Sequence, residues 1–242
     1  MSVTTLAVSL AAVTLAATAA RSTLPTPAQA AWQEAEIMAL VHFNMGTFVD
    51  GGSGCYDHAV WPSARHASTF APSALNCSQW ADSMLALGVT EAVLTAKHGC
   101  GFYTWATNVS LPDGTRYPYA VNASFDVLRQ FTDAMDARGI GHGAGARAGR
   151  TSGVLRAPYD ALPAAPLRCS GLPCLPPGFY YSMTQNYFLN LFDKQVQPPS
   201  TLQPGQVRVT QAEYEAIALA SLTELWTAFG NLTEIWCAPA AS

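Results

Sequence analysis

A lysine and a histidine stand together at Lys97-His98, directly after the apolar run 92–96, and the chain then reads Gly99-Cys100-Gly101 before Phe102, Tyr103 and Trp105. An ammonium group and an imidazole are costly to remove from water without partners, so at the end of a buried segment they mark a point where polar groups converge. His42 lies in a second, shorter run, Met38-Ala-Leu-Val-His-Phe-Asn44. Metal ligation by His98 and Cys100, with His42 or Cys237, is one chemistry open to this set, but none of these pairs has recognisable zinc-site spacing. His58 and His66 read as solvated loop residues, Asp57 and Glu224 as surface carboxylates on a loop and a helix. The residue types locate the chemistry without fixing it.

The elements that position these residues follow a repeating order. The run from Glu91 has the continuous apolar character of a doubly buried parallel strand. In a sheet wrapped by helices, the C-terminal ends of such strands are where sites are built. Trp80, Met84 and Leu87 share one face of a helix over about 76–87, and Gly88 suits the left-handed position after it. Leu128, Phe131 and Met135 predict a second helix over 124–138, closed by Gly139. Thr210 and Glu213 form a capping box for a third, whose apolar side carries Tyr214, Ile217, Leu222, Leu225 and Phe229. Residues 232–236 read as a further strand, and 38–44 as an earlier one with no helix before it. The order strand, helix, strand, helix, strand, helix, strand predicts an α/β fold with a parallel sheet.

Composition limits the partners. In 242 residues, 50% are hydrophobic and 12% charged, which supports a sizeable core. A net charge of −4 gives no footprint for nucleic acid. No apolar run past the N-terminus is long enough to span a bilayer. Residues 1–30 read as a signal peptide or targeting segment: Ser2 to Ala20 is apolar and acid-free, and Ala17-Thr-Ala19 and Ala28-Gln-Ala30 offer small-residue cleavage sites, although no Lys or Arg precedes the apolar stretch. An organellar transit peptide and a retained anchor are the other readings. Sequons at Asn76, Asn108, Asn122 and Asn231 and the six cysteines fit an oxidising, secretory compartment.

From about 144 to 177 the chain turns to Ala, Gly, Arg and Pro, without helical or strand periodicity. So long a structureless connection is foreign to a compact α/β unit. Leaving it out joins Gly139-Ile-Gly-His-Gly143 to Gly178-Phe-Tyr-Tyr-Ser182, a strand with aromatics and a hydroxyl at its end. The segment reads as a non-native insertion; a surface loop with a Cys169–Cys174 disulfide is the alternative.

Several pieces together resemble the N-terminal part of the glycoside hydrolase family 29 catalytic domain, that of the α-L-fucosidases. They are Leu40-Val-His-Phe-Asn-Met-Gly-Thr-Phe48, Phe70-Ala-Pro-Ser-Ala-Leu75 with Gln79-Trp80, Val93-Leu-Thr-Ala-Lys-His-Gly-Cys-Gly-Phe102, Gly178-Phe-Tyr-Tyr-Ser182, Leu222-Thr-Glu-Leu-Trp226 and Leu232-Thr-Glu-Ile-Trp236. The resemblance implies a (β/α)8 TIM barrel with about the first four βα units present, over residues 31–242. It implies hydrolysis of terminal α-L-fucosides of glycans with retention of configuration, without a cofactor, by a secreted or lysosomal–vacuolar protein. A retaining glycosidase needs a carboxylate nucleophile and a carboxyl acid/base about 5 Å apart. His42 and His98 would bind fucose hydroxyls, Tyr180 or Tyr181 would add to them from the third strand, and Trp236 would lie beside the nucleophile. Strand alternation lets only one of the two tyrosines face the interior.

The departures from the family pattern set further expectations. Many members have a second His and an Asp where this chain has Gly99 and Cys100. Resemblance to a divergent branch with Gly-Cys at these positions implies a disulfide between Cys100 and Cys55. The Glu-Trp pair that follows the first strand in many relatives is not evident between Asp50 and Trp61. The family's fourth strand runs into Phe-Asp-Gly-Gly, with the Asp as nucleophile, and Ala238 stands at that position here. The acid/base falls later in the family's chain. Hydrolysis by this chain alone is therefore not expected, and a non-catalytic fucose-binding protein is the alternative reading.

Overall fold

The computed structural model describes residues 24–48, 55, 68–141, 168–169, 172–173, 178–229 and 232–238. A helix does precede the first strand, against expectation. Thr26 caps α1, Pro27–Gln33, with a reciprocal bond from the Gln29 side chain, and Pro27 suits the first turn. The second candidate cleavage site, residues 28–30, thus lies within a helix.

Four strands build one parallel sheet in the order β1 (Met38–Val41), β2 (Glu91–Lys97), β5 (Gly178–Ser182) and β8 (Ile235–Ala238). The helices α2 (Cys77–Ala86), α3 (Val127–Arg138) and α4 (Gln211–Ala228) connect them in sequence. Between α3 and β5 lies a short antiparallel pair, β3 (Arg168–Cys169) and β4 (Leu172–Pro173). After β5 comes a hairpin of β6 (Leu191–Phe192) and β7 (Gln195–Val196), turned by Asp193 and Lys194, both at positive φ.

Helix starts follow side-chain caps rather than the apolar pattern alone. Asn122 caps a 3-10 turn, Ala123–Phe125, and Asp126 then caps α3 by accepting from Arg129 N, so the helix begins three residues later than 124. The last strand is also displaced, starting at Ile235 rather than 232. Leu232 is buried in the turn before it, so its apolar character reports packing of the connection and not a place in the ladder.

Strand alternation gives the sheet two faces. Ala92, Leu94, Ala96, Phe179 and Tyr181 pack with Met84, Phe131 and Leu225 in the core between sheet and helices. The opposite face carries Glu91, Val93, Gly178 and Glu234 at its N-terminal end. A Cβ at Gly178 would come within 2.9 Å of Glu234 Cγ and 3.0 Å of Val93 Cγ2, so the glycine makes room for these side chains. Burial first, and then the Glu234 carboxyl, push the Glu91 pKa up to about 7. Burial also raises that of Glu234.

The expected insertion at 144–177 lies outside the described residues except for the β3–β4 pair, but the described residues that flank it are placed. Gly141 N donates to Thr90 O (2.8 Å), and Gly178 pairs with Val93. Thr90 is three residues before Val93, and Gly141 becomes three residues before Gly178 when 144–177 are left out. Gly141 and Gly178 thus lie beside Thr90 and Val93 with matching spacing. Closing a loop of this length, rather than continuing a strand, costs on the order of 3 kcal/mol. A variant joining Gly143 to Gly178 is expected to melt cooperatively at a temperature at least as high as the parent. A lower melting temperature by calorimetry would show that the segment supports the fold.

Candidate functional site

The site depends on an irregularity in β2. The β2–β5 register, regular through Thr95↔Tyr180, shifts between Thr95 and Lys97, so that Lys97 lies opposite Tyr181. Thr95 faces away from the helices, where its hydroxyl donates to Val41 O and meets His42 Nδ1 at 2.9 Å. Lys97 turns to the helix side, its Nζ 5.0 Å from the centre of the Tyr181 ring. His98 returns to the Thr95 side.

Three rings from three strands gather there. His42 meets His98 edge-on at 5.4 Å between centroids and Tyr180 edge-on at 5.2 Å, while His98 and Tyr180 stack at 5.7 Å. Trp236 lies opposite Tyr180 in the ladder and is 40% exposed. Tyr181 goes to the other face, where its hydroxyl meets that of Tyr103, itself bonded to Ser221 of α4. Of the two tyrosines, Tyr180 joins the histidines and Tyr181 belongs to the core.

Both imidazoles are held neutral. Burial lowers the pKa of His42, and burial, then His42, then Lys97 lower that of His98 to about 4. A neutral imidazole presents one donor and one acceptor, as a hydroxyl does, and the adjacent aromatic faces take an apolar surface. The set suits a compact, uncharged polyol with one apolar side. Among the described residues, no group of three or more His, Cys, Asp or Glu is placed to hold a metal ion. Cys100 is joined to Cys55 in a disulfide with Cα atoms 4.7 Å apart, so its sulfur cannot serve as the ligand one reading allowed. His58, His66 and Asp57 lie outside the described residues.

Lys97 and the glycines after it hold a neighbouring loop. Lys97 is fully buried, burial lowers its pKa to about 7, and its Nζ donates to the carbonyls of Ser182 and Gln185. Gly101, at φ +91, admits the Asn186 side chain against its backbone, and Tyr117 Oη donates to Gly101 O at 2.7 Å. The surface reading of Glu224 is corrected. Its carboxylate accepts from Trp105 Nε1, Thr107 Oγ1 and Asn108 N, tying the loop after β2 to α4. Sequence reasoning missed this and the Thr95–His42 contact. The signal for Thr95 was a hydroxyl inside an apolar strand three residues before His98.

A parallel α/β sheet with polar and aromatic side chains gathered at the C-terminal end of its strands carries its site where α/β folds build theirs. The fold is shared with an alpha-L-fucosidase of glycoside hydrolase family 29 from Bacteroides thetaiotaomicron: TM-score 0.57, 13% identity, over 88% of this chain and 41% of that one. The alpha-L-fucosidase family model matches residues 29–239, and the chain belongs to that family. It is 36% identical over 121 residues to "Putative alpha-L-fucosidase 1" of Oryza sativa subsp. japonica and 30% identical over 127 residues to "Alpha-L-fucosidase 1" of Arabidopsis thaliana. Each match takes in 50% of this chain and 22% of the relative, so the chain spans a minor part of these relatives' length.

Two measurements check this geometry. By NMR titration, the His98 imidazole is expected to stay neutral from pH 8 downwards and take its proton near pH 4, and a midpoint near 6.5 would contradict its burial. Glu224→Ala leaves three donors without their acceptor and is expected to lower stability by roughly 2–4 kcal/mol in urea unfolding, whereas a change within 0.5 would make the contact superficial.

Proposed function

We propose that this chain forms the fucose-recognising part of an α-L-fucosidase active site, corresponding to about the first four βα units of a (β/α)8 barrel. The observation that carries the reading is the convergence of His42, His98 and Tyr180 on one face at the strand ends, with centroids 5.2–5.7 Å apart. The neutral imidazoles would hold ring hydroxyls of a terminal α-L-fucosyl residue by directional hydrogen bonds. Tyr180 and the exposed Trp236 would supply stacking surface for its apolar side.

Cleavage with retention needs a carboxylate nucleophile on the same face. Ala238, at the end of β8 and opposite Ser182 in the ladder, stands at the position expected for it. Glu234 lies at the other end of that face, over Gly178, and does not substitute. The chain as written is therefore expected to bind fucosides without cleaving them. Fucosylated glycans are the partners this chemistry fits. The apolar N-terminal segment and the Cys55–Cys100 disulfide support a secretory route.

Isothermal titration with L-fucose, alongside release of p-nitrophenol from its α-L-fucoside, tests the reading. Saturable binding that His98→Ala abolishes, without release of p-nitrophenol, is expected. Absence of binding would overturn the sugar site, and hydrolysis would overturn the assignment of position 238.

A further inference from the structure

The loop after β5 places one more polar side chain at this site. Gln185 is held by its backbone, whose carbonyl accepts from Lys97 Nζ, and Tyr187 N donates to Gly99 O at 3.3 Å. Two tethers thus fix the loop to the end of β2. A Cβ at Gly99 would collide with the Gln185 amide oxygen and would lie 2.9 Å from Cys55 O. The Gln185 side chain therefore fills the space that a side chain at position 99 would take. It reaches from the β5 side across the end of β2 toward the loop that follows β1. His42, His98 and Tyr180 come from those same three strands, and Gly99 directly follows His98.

The amide in that space has bonding capacity to spare. Gln185 is half-buried, and among the described residues its side-chain amide makes no hydrogen bond. Its neighbour Asn186 differs. The Asn186 amide donates to Tyr117 Oη (3.0 Å) and accepts from Leu189 N (3.2 Å), so it is consumed in holding the loop. A primary amide offers two donors and an acceptor. A sugar hydroxyl needs one of each, and a site that hydrogen-bonds a hydroxyl discriminates against analogues lacking it.

We propose that Gln185 is a sugar ligand, contacting one fucose hydroxyl beside His98 from the space that Gly99 leaves open. This rests on the fucose-binding reading. It assigns discrimination among hydroxyls to the loop after β5, and it assigns to Gly99 the role of admitting that loop's side chain.

The test is titration of the full chain and of Gln185→Met, which keeps the length of the side chain without its donors, with L-fucose and its 2-, 3- and 4-deoxy analogues. Gln185→Met is expected to melt like the parent and to bind L-fucose roughly tenfold more weakly, the loss of about one hydrogen bond. One deoxy analogue, lacking the contacted hydroxyl, should bind parent and variant equally. Equal binding of every ligand by both proteins would overturn the assignment. So would the same loss for all of them, which would mark a displaced loop rather than a lost contact. If Gln185→Met does not fold, Gln185→Asn, which withdraws the amide by one methylene, is read by the same criterion. A parent that binds no L-fucose would instead sink the proposed function, and this assignment with it.

Discussion

The shift in register between Thr95 and Lys97 is the constraint on which the site depends. An unbroken strand would put Lys97 on the face that Thr95 shares with His42, and His98 among the helices. The irregularity exchanges them, as bulges do next to active sites, re-aiming a side chain at a small cost in ladder hydrogen bonding. An ammonium group on the core side then needs acceptors, and the carbonyls at the end of β5 and in the loop beyond it supply them. The same bulge that delivers the imidazole thus fixes the loop that overhangs it. Lys97 and His98 form one device, with a structural half and a chemical half.

Around that device, the loop after β2 is held from both sides. Glu224 ties its outer part to α4, and the disulfide ties Cys100 to Cys55 beyond β1. The stack of Trp105 on Tyr103 and of Tyr103 on Tyr117, with centroids 4.1 and 4.2 Å apart, fills the space beneath. Aromatic pairs of this kind add to stability beyond their buried area. Loops built in this way present side chains at fixed positions, which recognition of a small rigid sugar requires.

Much of this was legible in the sequence. The continuous apolar run of β2, the capping box at Thr210 and the glycine at 139 each have a local physical cause, and each predicted its element. Cap competition moved the start of α3, because Asp126 accepts from the helix N-terminus while Ser124 lies in the preceding turn. His42 and His98 were paired through the resemblance to the family, which sets both at strand ends. The choice between Tyr180 and Tyr181 could not be made, since alternation separates them but does not say which way the strand faces. Gln185, Thr95 and Glu224 act through contacts 53 to 119 residues away in the chain or across a glycine, and no local pattern marks such partners.

The two ends of the open face titrate in opposition. Glu91, with its pKa near 7 in the fold against 4.5 ordinarily, keeps a proton that the unfolded chain releases, so its contribution to stability is lost as pH rises through that window. His98, near 4 against 6.5, refuses a proton that the unfolded chain accepts, so its contribution is lost as pH falls through its own window. The windows overlap from about 4.5 to 6.5, where the slopes are of opposite sign. Over that range the contributions of these two groups therefore run against one another, the floor of the sheet gaining on acidification what its mouth gives up.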